Sequence, residues 1–563
     1  MRRRKSRVLY FILCAFMIFV LLVIGGWQAR RFFPYPAVFA RLRIENWQVW
    51  EFHDYFGLDP DDVSVVWENR RLTGLDEPPV IYGGNVYFPA SFINERTGID
   101  PFLFWDESAQ SLLFSTDMEV IRLPADEVLI QGRPMVSLDF VQDKYPAFRI
   151  EHRQEFNTVI ITDYVNSAGR YAETRRRTAV RYRPDRTAFI TKRLDRGVSF
   201  IAFAPDGDFF RVRTAEGLLG YINMADMQFA DPPRIVARPV SPLPVSPPAF
   251  EGPINLSWEM ITAPQGNITA MNNPLPPGLN VISPTWFSFD SYALNGNIDS
   301  FACREYVEWA HSHGVYVWPK IFDTNRDISH AILTNYRARE RAITQLLRFV
   351  DEYRLDGIIV NFEHIRGTDG RYYVQFLREL APEMRFRNAV LTVATFVPAP
   401  WFAHYHHDLV GRTVDFVAIM TYDEHYGGSP EPGPVASLPF VRRSVADALQ
   451  LIPREKLLMG LPFYNRLWHV NPDGSHRISN IGMARPWALV EEWGVIPVWD
   501  DEIGSYYVNF NDGTTTYRMW IECERSIGEK LSVYNYFGIA GVASWRRGLE
   551  SPGVWDKIYM ALN

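Results

Sequence analysis

Hydrophobic and polar positions divide the chain into stretches with different periods. Residues 8–26 run for nineteen positions without a charge. As a helix that run spans about 28 Å, close to the ~30 Å hydrocarbon core of a bilayer. Five basic residues precede it, Arg30 and Arg31 follow, and the Gly25-Gly26-Trp27-Gln28-Ala29 exit lacks a small-residue cleavage pattern. Residues 1–30 therefore read as a cytoplasmic basic segment and a single-pass membrane anchor, with the rest of the chain outside the cytoplasm; a cleaved, secreted form is the alternative. Residues 35–165 carry a faint repeat, Val80-Ile81-Tyr82-Gly83-Gly84-Asn85-Val86-Tyr87-Phe88 against Val128-Leu129-Ile130-Gln131-Gly132-Arg133-Pro134-Met135-Val136, at an offset of 48. The pattern predicts strand, Gly turn, strand, short helix and strand in each copy. Residues 170–230 predict short strands at 187–190, 198–203, 209–213 and 219–222, with Asp206-Gly207 as a turn. In 231–251 proline recurs (Pro232, Pro233, Pro239, Pro242, Pro244, Pro247, Pro248), which reads as an extended linker.

From 252 to 563 apolar strand-like runs alternate with amphipathic helical ones. Strands are predicted at 254–259, 279–287, 314–322, 355–363, 389–397, 414–423, 457–464 and 540–545, with helices such as 339–353, 372–380 and 441–452 between them. Eight such strands predict an α/β fold, a (β/α)8 TIM barrel, with its chemistry at the carboxyl ends of the strands.

Composition narrows the function. The chain is 47% hydrophobic and 15% aromatic, with 17 Trp, enough for large cores and well suited to stacking on sugar rings. A net charge of −7 without a basic stripe beyond the first residues excludes nucleic acid as a natural partner. Three Cys support neither a disulfide framework nor a Cys-based zinc site; whether Cys303 and Cys523 pair is left open.

Predicted strand four ends Asp356-Gly357-Ile358-Ile359-Val360-Asn361-Phe362-Glu363. Alternation puts Ile359, Asn361 and Glu363 on one face, with Asn361 and Glu363 near the mouth. A carboxylate aimed into a barrel mouth is expected to be desolvated, which raises its pKa and suits a general acid. The motif resembles the DGxDxDxE signature of glycoside hydrolase family 18. So do Ser283-Pro284-Thr285-Trp286-Phe287, Met420-Thr421-Tyr422-Asp423-Glu424-His425, Gly460-Leu461-Pro462-Phe463-Tyr464, Trp520-Ile521-Glu522 and Ala543-Ser544-Trp545-Arg546-Arg547-Gly548. In order they cover nearly all of 252–550 and most resemble the bacterial spore-germination and cortex-lytic N-acetylglucosaminidase branch.

The resemblance implies a retaining reaction in which the substrate's own 2-acetamido oxygen attacks the anomeric carbon. Glu363 matches the general acid, Tyr422 the tyrosine that holds the acetamido group, Asp423 its polar neighbour, and Trp545 the floor of the subsite for the cleaved sugar. Two positions depart from the signature: Ile359 and Asn361 replace its middle and last Asp. Loss of a carboxylate beside the developing oxazolinium is expected to cost several kcal/mol, by analogy with ~2.7–4 kcal/mol for one preorganised donor. Asn-x-Glu also resembles the pair of glycoside hydrolase family 85, which likewise works through the acetamido group.

The implied substrate is a polymer of β-linked N-acetylglucosamine, peptidoglycan or chitin-like, with no metal or organic cofactor. A catalytically silent wall-glycan-binding protein is the alternative, and Asn361 is the reason for it. Residues 35–165 resemble the repeat named after the copper amine oxidase N-terminal domain, without its copper chemistry, and 170–230 resemble a bacterial SH3-type domain.

Further residues of the barrel half have less specific patterns. Trp258, Trp286 and Trp318 each suit a core, but at three successive strand ends they suggest an aromatic-lined cleft. Glu424 and Glu522 are spare mouth carboxylates suited to hydrogen-bonding sugar hydroxyls. His404, His406 and His407 lack the i, i+4 spacing of a helical zinc motif and read as a solvated loop.

Overall fold

The computed structural model describes residues 63–97, 102–116, 119–145, 148–163, 167–188, 190–231, 252–290 and 292–563. The predicted membrane anchor and residues 232–251 of the proline-rich stretch lie outside the described residues. Among the described residues no helix is long and apolar enough to cross a membrane. Two compact units are present: 63–93 with 129–231, and 94–128 with 252–563.

In the first unit the two copies of the repeat meet in one sheet. The hairpin Val80–Tyr82/Asn85–Pro89 and the hairpin Leu129–Ile130/Arg133–Ser137 pair antiparallel through their inner strands, Phe88 opposite Val136. Phe88 and Val136 are both buried, which accounts for the repeated apolar pattern. A second sheet sets Ser64–Trp67 parallel to Thr158–Asp163. Residues 170–229 form a seven-stranded antiparallel sheet around Ala172, Val180, Phe200, Val212 and Ile222. Arg213, almost fully buried, donates to the Glu68 carbonyl at 2.8 Å and the Thr162 hydroxyl at 2.6 Å, tying the two sheets together.

The second unit is built on a closed ring of eight strands: Ile254–Glu259, Val281–Pro284, a third in two pieces (Tyr316–Val317 and Lys320–Phe322), Gly357–Asn361, Val390–Thr395, Phe416–Ile419, Leu457–Pro462 and Gly541–Trp545. Each pairs parallel with the next, and the eighth closes on the first. All eight fall within the predicted runs, because period-2 apolar patterning with helical spacers specifies this arrangement. Gly357 is required by packing: a Cβ there would lie 2.6 Å from the Val390 carbonyl and 2.8 Å from the Trp318 ring.

The barrel interior is largely apolar. Trp258, Trp318, Ile359, Ala394, Phe416 and Ala543 fill it, with Trp318 stacked on Phe416 at 5.9 Å. At the rim Glu259, ending strand one, accepts from Arg547 beyond strand eight and from the Tyr306 hydroxyl, a buried polar clamp over the closing seam. Between strands seven and eight a five-stranded antiparallel sheet is inserted, including Tyr464–Val470 and Thr516–Ile521.

A three-stranded sheet from the upstream region (Phe102–Asp106, Ser111–Ser115, Val120–Pro124) belongs to this unit. It docks on the helices Tyr336–Tyr353 and Gly370–Phe386. Arg339 is fully buried and pairs with Asp106 from the sheet and, at 3.0 Å, with Glu379 from the second helix. Burial pulls the Asp106 carboxyl upward, but the Arg339 charge and its hydrogen bonds outweigh this and hold it below the usual range. The Phe104 ring meets Tyr372 edge-on at 5.2 Å.

Candidate active site

Two residues beyond barrel strand four, Glu363 stands at the mouth with its backbone held from strand three. Asp323, buried, accepts the Glu363 N–H at 2.8 Å and the His364 N–H at 2.9 Å, and also the Ser329 hydroxyl. Charge-assisted bonds to consecutive backbone amides fix the peptide that carries the acid, and so the direction in which its carboxyl projects. The expected desolvation of Glu363 is not found: the side chain is exposed in an open cleft. Alternation carried it past the end of the strand, where barrel walls no longer cover it.

Asn361 is buried directly below. Its Oδ1 accepts from Lys320 Nζ at 3.0 Å, and its Nδ2 donates to the Ala394 carbonyl at 3.4 Å. Lys320 is itself buried, and Nζ lies 4.8 Å from the centre of the Trp545 ring. Burial pulls the lysine down to about 8, against the opposing pull of the Glu363 and Asp323 charges. The other departure, Ile359, packs in the barrel interior with Trp258, Trp318 and Phe416.

Across the mouth, Tyr422 and Asp423 follow strand six. The Tyr422 hydroxyl is pushed well above its ordinary pKa by burial and then by the Asp423 and Glu363 charges, so it stays a proton donor. Asp423 adopts a left-handed backbone (φ 62°) and accepts from both the Tyr464 hydroxyl and Arg466. Tyr464 stands edge-on to Tyr422 at 6.2 Å. Trp545 ends strand eight with Trp258 beneath it at 5.9 Å, and the Trp545–Arg546 peptide bond is cis. Glu363, Asn361, Tyr422, Asp423 and Trp545 thus all stand at the carboxyl ends of barrel strands, around one mouth.

Other predicted site residues are placed elsewhere. Trp286 is buried between barrel and helices, donating to Asn267 Oδ1 at 2.8 Å, and Trp318 and Trp258 fill the barrel interior. The aromatic-lined cleft expected from these three is therefore corrected: all three are buried core, Trp258 and Trp318 inside the barrel and Trp286 between barrel and helices. Glu522 is not a mouth carboxylate either. It is buried in an ion pair with Lys530 at 2.9 Å, with Ser526 also donating. Glu424 accepts from Ser437, the N-cap of the helix Leu438–Leu449, through its N–H at 2.7 Å and its hydroxyl at 3.0 Å, one bond on each carboxylate oxygen. His407 is buried and bonds the Phe396 carbonyl at 3.0 Å. Among the described residues no group of His, Cys, Asp and Glu is arranged to hold a metal, and Cys303 and Cys523 are free thiols.

Lys320, Asp323 and Arg466 are site residues that motif reading did not single out, and Tyr464 ends one of the motifs without a role implied for it. For Lys320 a signal exists: in Trp318-Pro319-Lys320-Ile321-Phe322 it shares the parity of the inward-facing Trp318 on an otherwise apolar strand.

The description "Glycosyl hydrolases family 18" matches residues 295–550. The chain is 27% identical over 296 residues to the uncharacterized glycosylase YvbX of Bacillus subtilis (strain 168), covering 50% of this chain and 84% of that one. It is 26% identical over 238 residues to the cortical fragment-lytic enzyme of Bacillus anthracis, covering 41% of this chain and 55% of that one. In fold it is similar to the Bacillus cereus spore cortex-lytic enzyme SleL, at a TM-score of 0.50 and 17% identity over 66% of this chain and 90% of that one. Barrel strands one and two lie outside the matched range yet complete the ring. Residues 295–550 carry the match to the glycosyl hydrolases family 18, and the chain has a glycosidase domain there.

Proposed function

We propose that the protein cleaves β-linked N-acetylglucosamine polymers, peptidoglycan or chitin-like, by a substrate-assisted retaining reaction. The observation that carries this reading is the grouping of Glu363, Tyr422 and Trp545 at the carboxyl ends of strands four, six and eight. Glu363 protonates the leaving oxygen while the 2-acetamido oxygen attacks the anomeric carbon. Tyr422, kept protonated by burial, donates to the acetamido carbonyl. Asp423, held by Tyr464 and Arg466, keeps that wall of the site in place. Water then opens the oxazolinium, with Glu363 as its base. In this reading residues 8–26 anchor the chain, and residues 63–231 serve as wall-facing spacer or binding modules, which their resemblances support.

A second reading, glycan binding without turnover, is favoured by one observation: the Asn361 amide oxygen is occupied by the Lys320 ammonium, a positive charge where the intermediate is itself positive. The deciding experiment compares N-acetylated oligosaccharides with the same chains N-deacetylated at the cleaved sugar. Hydrolysis of the first alone supports assistance by the acetamido group. Equal hydrolysis of both rejects that assistance, and binding without products rejects the enzyme.

A further inference from the structure

Glu363 also forms one wall of a cavity of about 380 Å³ on the strand four and five side of the mouth, away from Tyr422 and Trp545. Arg326, Arg366, Trp401, His404 and Tyr405 are among the other residues that line it. Trp401 is 72% exposed, a large ring presented to solvent at the end of the loop after strand five. Tyr405 is buried as a wall behind it. Arg366 is paired with Asp327, a carboxylate 78% exposed, while Arg326 engages no carboxylate among the described residues.

The position of this cavity gives it a role, on the reading of the active site proposed above. If the cleaved sugar rests on Trp545 with its acetamido group at Tyr422, the leaving sugar lies across Glu363, in this cavity. When Glu363 is in its acid form it brings no charge. The lining then holds two guanidiniums, one of them, Arg366, paired with Asp327 outside the lining. A neutral amino sugar needs a ring face and hydroxyl partners, which Trp401 and His404 supply, and it leaves Arg326 without a carboxylate and Arg366 with Asp327 alone. A planar fork of N–H donors matches a carboxylate. The geometry points to a leaving-sugar subsite that recognises a carboxylate-bearing sugar, with Arg326 and Arg366 as its anion-binding residues and Trp401 as its stacking platform.

The test uses the full chain and four tetrasaccharides: N-acetylglucosamine tetramer, alternating N-acetylglucosamine and N-acetylmuramic acid with free lactyl carboxylates, the same chain amidated, and a hyaluronan tetrasaccharide with ring carboxylates. kcat/KM is read from reducing-end release, and Kd is read in parallel on Glu363→Gln. The expected result is a preference of about tenfold for the free lactyl carboxylate over its amide, falling to near one in the Arg326→Gln/Arg366→Gln double variant. Cleavage of the hyaluronan fragment at a comparable rate would assign the site to ring carboxylates as well; its failure would restrict it to the lactyl group. Equal treatment of acid and amide by the parent chain, or a preference that survives in a double variant of unchanged melting temperature, would overturn the inference. If nothing is cleaved the glycosidase reading falls, and the acid-to-amide ratio in Kd decides the subsite by itself.

Discussion

The Lys320 ammonium donates to the Asn361 side-chain oxygen at 3.0 Å, at the place where the family signature carries a carboxylate. The amide accepts from the lysine without neutralising it, so a buried positive charge stays beside the Trp545 ring. Asn361→Asp would turn this contact into an ion pair and bring negative charge toward the oxazolinium. The expected outcome is a rise in kcat of about ten- to a hundredfold on N-acetylated oligosaccharides, the equivalent of ~1.4–2.7 kcal/mol. Steady-state kinetics of the two proteins checks it, and a fall in kcat would mean that the amide itself is required.

Lys320 also sets a pH dependence of stability. Its folded pKa, about 8, lies below the ordinary 10.5, so the unfolded chain holds this proton more tightly. The resulting penalty is fully present below about pH 8 and is relieved as pH rises from 8 toward 10.5. Lys320→Met removes the charge, and at pH 7 it is expected to stabilise the chain by up to about 3 kcal/mol, with the advantage shrinking above pH 8. Urea titrations of both proteins at pH 7 and pH 9.5 measure it. A variant equally less stable at both would show that the lysine's contacts outweigh its burial.

Asp323 holds the peptide of Glu363 and not the substrate. Asp323→Asn loses the charge and one acceptor, so the acid is mispositioned while the sugar sites are kept. kcat should fall by about ten- to a hundredfold with KM within threefold. A proportional rise in KM with kcat unchanged would place Asp323 in binding instead.

The buried Arg339 joins the upstream three-stranded sheet to the barrel helices. Asp106→Leu leaves it short of one partner in an apolar setting, with an expected loss of about 3 kcal/mol in urea unfolding. The triple replacement Asp106→Leu, Arg339→Met, Glu379→Leu should lose less than the single one, because no charge is then stranded. A triple variant worse than the single one would contradict this balance.

Much of this architecture was legible in the chain. The eight barrel strands follow from period-2 apolar runs, and Gly357 from a packing contact that no side chain survives. The repeat at offset 48 marks two hairpins that pair with one another. Side-chain direction near strand ends was harder to read. Trp258 and Trp318 face the barrel interior and Trp286 packs between barrel and helices, whereas Glu363 sits beyond the end of its strand and is exposed. Glu522 and Glu424 look like spare carboxylates until their partners are known, and those partners, Lys530 and Ser437, are brought in by the fold. Lys320 and Asp323 were visible only as charges on an apolar strand; their tie to Asn361 and Glu363 is a long-range pairing of strands three and four.

The central claim is that Glu363 drives hydrolysis at this barrel mouth. Mass spectrometry of products from peptidoglycan and chitin oligosaccharides, with the parent chain beside Glu363→Gln, tests it most directly. New fragments ending in reducing N-acetylglucosamine from the parent, absent from a Glu363→Gln chain that still binds the polymer, are the expected result. Identical products from both proteins, or none from a parent chain that binds the polymer, would contradict it.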